Sequence, residues 1–312
     1  MASRDLQIDI TKGIAIVLMI IGHCSLFGGT IRYLIFSFHM PLFFIFSGYF
    51  FRDKSIVEVV KTGFDRLVKP YFIYAILTEV FYRLFWRKSV INFLLDIIFA
   101  HGGPKHTIVF PTESSIGPIW FLMAIFWCRI FYAVIFKVSK HNFYLSEIIT
   151  FVVTCLAIFV GKYLLNLPLG ILTGASGLAF YGIGPIIKNI PSKHLYVMVV
   201  VWFLAVLFQI TYIDMVNFNY LFYPFDFICG IGGSIFVFMV SGLLAAKAKS
   251  QLIASLGFYS LEILCIHQIV FHICNIFGYS SNSFFFFLIN ITIPIILPLI
   301  YHRLKFGWVK VK

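Results

Sequence analysis

Apolar runs of about 20 residues recur along this chain from end to end, and they restrict its fold more than any other feature. Hydrophobic residues make up 61% of the 312 positions and charged residues 12%, about half the charged fraction of a soluble domain. Within a bilayer, only helices and closed barrels satisfy every backbone polar group, and runs of this length are typical of helices. We therefore predict an all-α integral membrane protein with about ten transmembrane helices. No linker divides it, so we expect one domain over residues 1–312 with no appended soluble domain.

The predicted spans cover residues 10–28, 34–51, 66–86, 117–137, 146–162, 169–187, 195–213, 226–246, 253–275 and 284–303. The loops on one side of these spans, with both termini, hold seventeen Lys and Arg residues, and the opposite side holds six. The positive-inside rule then predicts that both termini are cytoplasmic, which requires an even number of spans. Because the basic residues lie in short loops between apolar runs, membrane topology explains the net charge of +12, and we expect no nucleic-acid partner.

The first span carries polar residues on one helix face. Lys12 and His23 are eleven positions apart. This spacing places them about 20° apart around the helix and roughly 16 Å apart along its axis. Asp9 falls within about 40° of the same face. Ionisable side chains in lipid are costly and usually face a cavity or a partner, so this face is a candidate site.

A second histidine follows at a similar depth. His39 lies about six residues into the next predicted span, which runs back toward the cytoplasm, so it can meet His23 in the outer half of the bilayer. Pro41 is expected to loosen this helix, and Ser47 and Gly48 to allow close approach of another backbone. Imidazole can take a proton from a hydroxyl near neutral pH, so we predict His23 as the general base. His39 either orients His23 or braces the bundle.

Three further residues are candidates for substrate binding. Trp120 and Phe121 begin the fourth span, where they stack on a sugar or belong to an aromatic belt. Arg129 lies within that span and needs a partner, for which Glu79 or Asp226 are the candidates.

Two other parts of the sequence bear on function. The loop of about residues 87–116 is too long for a bare connector and is a candidate for recognition. None of the six cysteines has metal-ligand spacing, so we predict no metal.

Several motifs carry a family resemblance. The strings DITKGIAIVLMIIGHC (9–24) and FHMPLFFIFSGYF (38–50) resemble the opening of the membrane acyltransferase-3 family, most closely its fucose 4-O-acetylase-like branch. RLVKPYF (66–72), GPIWFL (117–122) and LGFYSLEILCIHQIV (256–270) resemble later family segments in the same order. The resemblance implies a multi-pass protein of the bacterial inner membrane, acetyl-CoA as acyl donor, and a glycan or lipid-linked sugar as acceptor.

The resemblance also assigns residues. The family pattern of a basic residue followed, after ten residues, by His maps onto Lys12 and His23. Lys replaces the usual Arg and lacks its bidentate fork. Lys12, Arg66 and Lys69 are expected to hold the coenzyme A phosphates, although ordinary topological anchoring explains the last two equally well. His267 lies in the late motif and belongs either to the site or to the scaffold.

The resemblance leaves two other classes of function open. Many relatives carry a C-terminal esterase-like domain, and we expect no such domain here. A polytopic transporter or flippase, or a non-catalytic scaffold of a polysaccharide assembly complex, remains the alternative to an O-acetyltransferase.

Overall fold

The computed structural model describes residues 5–86, 89–110, 116–246 and 250–306. Within these ranges the chain is helical except for loops and one antiparallel hairpin, β1 (Ile213–Asp214) with β2 (Asn219–Tyr220), in which Ile213 faces Tyr220. The α-helices are α1 (Leu6–His23), α2 (Gly28–Phe36), α3 (His39–Gly48), α4 (Ile56–Gly63), α5 (Lys69–Trp86), α6 (Val90–Phe99), α7 (Trp120–Val138), α8 (Phe143–Tyr163), α9 (Ile171–Ser176), α10 (Leu178–Ile186), α11 (Ser192–Leu207), α12 (Phe225–Ala245), α13 (Ser250–Phe258), α14 (Ser260–Ile276) and α15 (Phe284–Phe306).

The prediction of an all-α membrane protein is confirmed. Six helical segments of the described residues are long and apolar enough to cross a membrane: Leu6–His23, Ser25–Gly48, Gly117–Val138, Phe143–Tyr163, Phe225–Ala245 and Phe284–Leu304. Two bent pairs bring the number to as many as eight, since α9 and α10 meet at 53° and α13 and α14 at 73°. The count of ten spans and the cytoplasmic termini stay predictions.

Two of the predicted spans, 66–86 and 195–213, are not among the helices that are long and apolar enough to cross a membrane. The span predicted at 66–86 corresponds to α5, which carries three charged residues, Lys69, Glu79 and Arg83. The span predicted at 195–213 corresponds to α11, which has 16 residues and falls short of the usual length of a membrane span.

The segment predicted as one long loop at 87–116 contains the helix α6. Ser89 caps it by accepting a hydrogen bond from the Asn92 N–H at 3.2 Å, and Ala100 ends it in a left-handed conformation. Ten apolar-rich residues are too few for a span, which is why span length alone does not reveal this helix. Residues 87–88 and 111–115 of the segment lie outside the described residues.

The second predicted span is interrupted rather than loosened at its proline. α2 ends at Phe36, and α3 begins at His39. Pro41 therefore lies in the first turn of a new helix, where its missing N–H costs no intrahelical bond.

Contacts divide the chain into two compact units. The first comprises Met1–Phe43, Leu195–Thr211 and Ile228–Lys312, and the second comprises Phe44–His194 and Tyr212–Phe227.

Glycines set the closest helix contacts inside each unit. In the first unit, Gly13 on α1 lies against the backbone carbonyl of Ile253, and Gly257 on α13 lies against the carbonyl of Asp9. A side chain at either position would overlap the facing backbone, so α1 and α13 pack at a distance that only glycine allows. In the second unit, Gly48 lies against the carbonyl of Tyr181, which confirms the predicted close approach.

Candidate active site

His23 is the last residue of α1, in the first unit. Asp5 caps the start of this helix by accepting hydrogen bonds from the N–H groups of Gln7 at 3.1 Å and Ile8 at 3.3 Å. The Gln7 side chain donates to the carbonyl of Phe238 on α12 at 2.8 Å, which ties the same end to a second helix. His23 is half-buried, so its ring is supported by the protein but still reachable.

Three histidines lie around the end of α1. The ring centroids of His23 and His267 are 5.9 Å apart, with 42° between the ring planes. His23 is also 5.9 Å from Phe36, and Phe36 is 4.8 Å from His39, so the Phe36 ring contacts both histidines. The guanidinium of Arg32 lies 4.9 Å from the centroid of the Phe36 ring. The structure thus brings together all three histidines that the sequence singled out.

The histidines differ in their freedom to react. The Nδ1 atom of His39 lies 3.0 Å from the carbonyl of Ile35, one helical turn earlier. Because a carbonyl only accepts, Nδ1 of His39 carries the proton and Nε2 is left as the acceptor in the neutral ring. His39 is 3% exposed and His267 is 1% exposed, whereas His23 is half-buried. His23 is therefore the histidine of the three that a substrate can reach most easily.

Sequence reasoning missed several members of this site. Arg32 counted only as a topological charge because it lies between the predicted spans, and Phe36 counted as one aromatic among many. In the structure Arg32 lies inside the helical segment Ser25–Gly48, where a charged residue is a signal of function. On α14, the side-chain amide of Gln268 lies 2.6 Å from Nε2 of His272, one turn beyond His267. The spacing of these two residues, four positions apart on one helix, was a signal that could have identified them.

Lys12 and Asp9 lie on the same unbroken helix as His23. α1 runs continuously from Leu6 to His23, so Lys12 and His23 are roughly 16 Å apart along its axis. Lys12 is half-buried and Asp9 is 8% exposed.

Arg66 and Lys69 belong to the second unit. Arg66 is exposed and lies in a π-helical segment, Phe64–Val68, a distortion that often marks functional sites. Lys69 starts α5 and pairs with Asp65 at 2.5 Å, so its charge is already partly neutralised.

The aromatic candidates Trp120 and Phe121 are also in the second unit. Trp120 is 5% exposed and packs against Gly102. Phe121 is half-buried and meets Phe44 edge-on at 5.3 Å. Such burial leaves little of the Trp120 indole face free to stack on a sugar, whereas stacking by Phe121 stays a prediction.

Arg129 contacts a phenol that the sequence did not suggest as a partner. Its side chain hydrogen-bonds with Tyr181, whose ring is 5.2 Å from Tyr132, and the Tyr132 hydroxyl donates to Glu147 at 3.0 Å. The expected pairing of Arg129 with Glu79 or Asp226 stays a prediction, and Tyr181 is a hydrogen-bond partner that the sequence did not suggest.

Asp226 has a structural role at the start of α12. Its carboxylate accepts main-chain N–H bonds from Tyr212 at 3.2 Å and Phe222 at 2.6 Å. Glu262, on α14, pairs with His302 on α15 at 2.9 Å.

Comparison with known proteins assigns the family. A family model described as an acyltransferase domain matches residues 5–303. Nodulation protein NolL of Mesorhizobium japonicum is 30% identical over 138 residues, which is 40% of this chain and 34% of the relative. Nodulation protein NolL of Sinorhizobium fredii is 27% identical over 133 residues, which is 39% of this chain and 34% of the relative. The matched region thus spans about a third of the length of these curated relatives.

No solved structure gives a significant match to this chain. The family match covers nearly all of the described residues, including α1 to α14 and most of α15. Together with the apolar helices, it shows that this chain is a multi-pass membrane protein that belongs to the acyltransferase-3 family.

Proposed function

We propose that this enzyme transfers an acetyl group from acetyl-CoA at the cytoplasmic face of the inner membrane to a sugar hydroxyl on the other side. The acceptor is a surface glycan or a lipid-linked sugar. The observation that supports this most is the position of His23. It is a half-buried imidazole at the end of α1, beside His267 and on the same helix as Lys12.

The proposed chemistry is direct transfer. The hydroxyl oxygen attacks the thioester carbonyl carbon while His23 removes the hydroxyl proton. The carbon–sulfur bond then breaks, and the thiolate of coenzyme A takes the proton back from His23. The products are the acetylated sugar and free coenzyme A, and no acyl-enzyme forms. Negative charge that develops on the carbonyl oxygen needs a hydrogen-bond donor, and the guanidinium of Arg32, which lies 4.9 Å from the Phe36 ring beside His23, is the candidate.

The other histidines have supporting roles in this proposal. His39, whose Nδ1–H donates a hydrogen bond to the Ile35 carbonyl, holds Phe36 against His23. His267 lies close enough to His23 to orient its ring or to contact the acceptor.

Acetyl-CoA is the anionic substrate of this proposal. Lys12 fits a donor-binding role because it is half-buried on α1, on the face of His23. Arg66 fits as an exposed guanidinium capable of bidentate phosphate binding, and Lys69 fits less well because Asp65 pairs with it.

Replacement of His23 with Ala tests the proposal. Loss of a general base should lower the rate of acetyl transfer by about 100-fold or more. The measurement is release of free coenzyme A from acetyl-CoA by the detergent-purified enzyme, after addition of a glycan acceptor. Binding of acetyl-CoA should be unchanged, since the base does not hold the donor.

The matched control is His141→Ala. His141 is an exposed histidine that pairs with Asp53 at 2.8 Å in the second unit, and its replacement should leave transfer unchanged. Retained transfer by the His23 variant would overturn the assignment of the base. A wild-type protein that binds acetyl-CoA but never cleaves it would instead indicate a transporter, and one that does not bind it a scaffold.

A further inference from the structure

Lys105, in the loop after α6, is buried within a surface segment. Its side chain is 5% exposed, although both flanking residues, Pro104 and His106, are exposed. The Nζ atom lies 3.5 Å from the centroid of the Phe218 ring on the β1–β2 hairpin, and Phe218 in turn packs against Gly161 of α8. Among the described residues, no group accepts a hydrogen bond from this ammonium.

The nearest polar groups have other partners. Asp214 attracts Lys105 without forming an ion pair in the described structure. The Asp214 carboxylate accepts from the Asn217 N–H at 3.2 Å and from the Asn217 side-chain amide at 2.8 Å. His101 turns its Nδ1 atom toward the carbonyl of Gly103. Among the residues that the structure describes, the three N–H groups of Lys105 therefore have no acceptor.

The charge state of this cluster suits an anion. Burial lowers the pKa of Lys105 to about 7, and the carboxylate of Asp214 opposes that shift. Burial, and then the positive charge of Lys105, lower the pKa of His101 to about 4, so His101 is neutral at neutral pH and does not repel the lysine. An arriving anion would favour the charged form of Lys105 and strengthen its own binding.

We propose that Lys105 binds an anionic group, a carboxylate or a phosphate, carried by the glycan acceptor. A buried ammonium without a hydrogen-bond partner is unfavourable, and an aromatic ring alone offers it no lone pair. An anion supplies charge-assisted hydrogen bonds at this position. The charge distribution predicts that this loop lies opposite the termini, on the side where the acceptor is expected. This inference rests on the proposed function only in identifying the anion as part of the sugar acceptor. The binding itself is measured without acetyl transfer.

A direct binding measurement tests the proposal. The probes are glucose, glucuronate, glucose 1-phosphate and inorganic phosphate, titrated into the full-length protein in nanodiscs without acetyl-CoA. Glucuronate and glucose 1-phosphate should bind about tenfold more tightly than glucose. Inorganic phosphate should bind more weakly than glucose 1-phosphate, because the site recognises an anion attached to a sugar.

Variants assign the effect to Lys105. Lys105→Met keeps an apolar stem on Phe218 and should abolish the preference for anionic sugars, while Lys105→Arg should retain part of it. The control is Lys162→Met, which removes another lysine of the second unit that lies near an aromatic ring, 5.4 Å from Tyr163, and should change nothing. Glucuronate stays ionised near neutral pH, so its binding should weaken as the pH rises above about 7, where Lys105 loses its proton.

Two results would overturn the proposal. One is equal binding of glucose and its anionic analogues by the wild type, and the other is an unchanged preference in the Lys105→Met variant. Free phosphate that binds as tightly as glucose 1-phosphate would also contradict a role in glycan recognition. None of these outcomes depends on whether the enzyme cleaves acetyl-CoA, so failure of this inference and failure of the proposed function are separable.

Discussion

His39 and His23 are alike in type and predicted depth, yet their hydrogen bonding separates them. The Nδ1 proton of His39 is committed to the carbonyl of Ile35, and its ring is 3% exposed. His23 is half-buried at the end of its helix. Sequence spacing placed both residues at the same depth in the membrane. It could not reveal the contact of His39 with Ile35, because this contact lies at the break between α2 and α3.

The two roles left open for His39 can be separated by substitution. In the His39→Asn variant, the side-chain amide can still donate to the Ile35 carbonyl, whereas in His39→Leu it cannot. If His39 braces the helix, Asn should keep transfer within about threefold of wild type, and Leu should lower thermal stability because a buried polar contact is lost. Coenzyme A release and thermal unfolding in detergent are the measurements. Equal loss of activity in both variants, with normal stability, would instead make the Nε2 atom part of the chemistry.

The buried Lys105 also has a consequence for stability. Its pKa falls from 10.5 to about 7 on folding, so between these values the unfolded chain binds more protons than the folded protein. Stability therefore rises with pH in this window, and the lysine is most costly below it. Lys105→Met should raise the thermal midpoint by about 2 °C or more near pH 6.

This gain should shrink as the pH rises toward 10.5 and level off above it, where the lysine is largely neutral in both states. Thermal scans of the wild type and of the Lys105→Met and Lys162→Met variants at several pH values check this. A Lys105→Met variant that is less stable at every pH would show that the contact with Phe218 stabilises the fold more than burial of the charge destabilises it.

Among the elements, the contact of α1 with α13 is the most restrictive. Gly257 lies against the carbonyl of Asp9, and Gly13 against that of Ile253. A methyl group at Gly257 would meet backbone rather than a flexible side chain, so the helices must separate to admit it.

Gly257→Ala should therefore destabilise the protein by about 1–3 kcal/mol. The loss is checked by the thermal midpoint and the yield of monodisperse protein in detergent. Gly29→Ala on α2 is the matched control, since a Cβ there meets nothing within 4 Å. Equal behaviour of the two variants would contradict the close helix contact.

Much of the element order follows from the sequence, and the exceptions have physical causes. Long apolar runs identify α1, α7, α8, α12 and α15, because the bilayer requires about 20 residues per span. The same criterion misses α6, which is too short, and overlooks the breaks at residues 37–38, 177 and 259, which depend on tertiary packing. Helix geometry predicted the common face of Lys12 and His23, but could not predict that Tyr181 is the partner of Arg129.

For the whole molecule, orientation in the membrane is the prediction with the widest consequences. The charge asymmetry predicts that the start of α8 lies in the cytoplasm and the loop after α6 on the other side. Tyr144 is 86% exposed and Ile108 is 78% exposed, so a cysteine at either position is accessible to reagent. The native cysteines give little background, because five are buried and Cys155 is half-buried.

A membrane-impermeant maleimide should therefore label Ile108→Cys in intact spheroplasts. It should label Tyr144→Cys only after the membrane is permeabilised. The reverse pattern would show the inverted topology, with Lys105 on the donor side. Labelling of both residues from one side would contradict an odd number of membrane crossings between them.

The Gly13–Gly257 contact also bears on how members of this family can diverge. α1 ends at His23, and α13 leads through a 73° bend into α14, which carries His267. The separation of the two imidazoles is thus set partly by a backbone contact about ten residues away on α1. Among relatives, we expect these two positions to stay small together, even where the residues around the histidines differ.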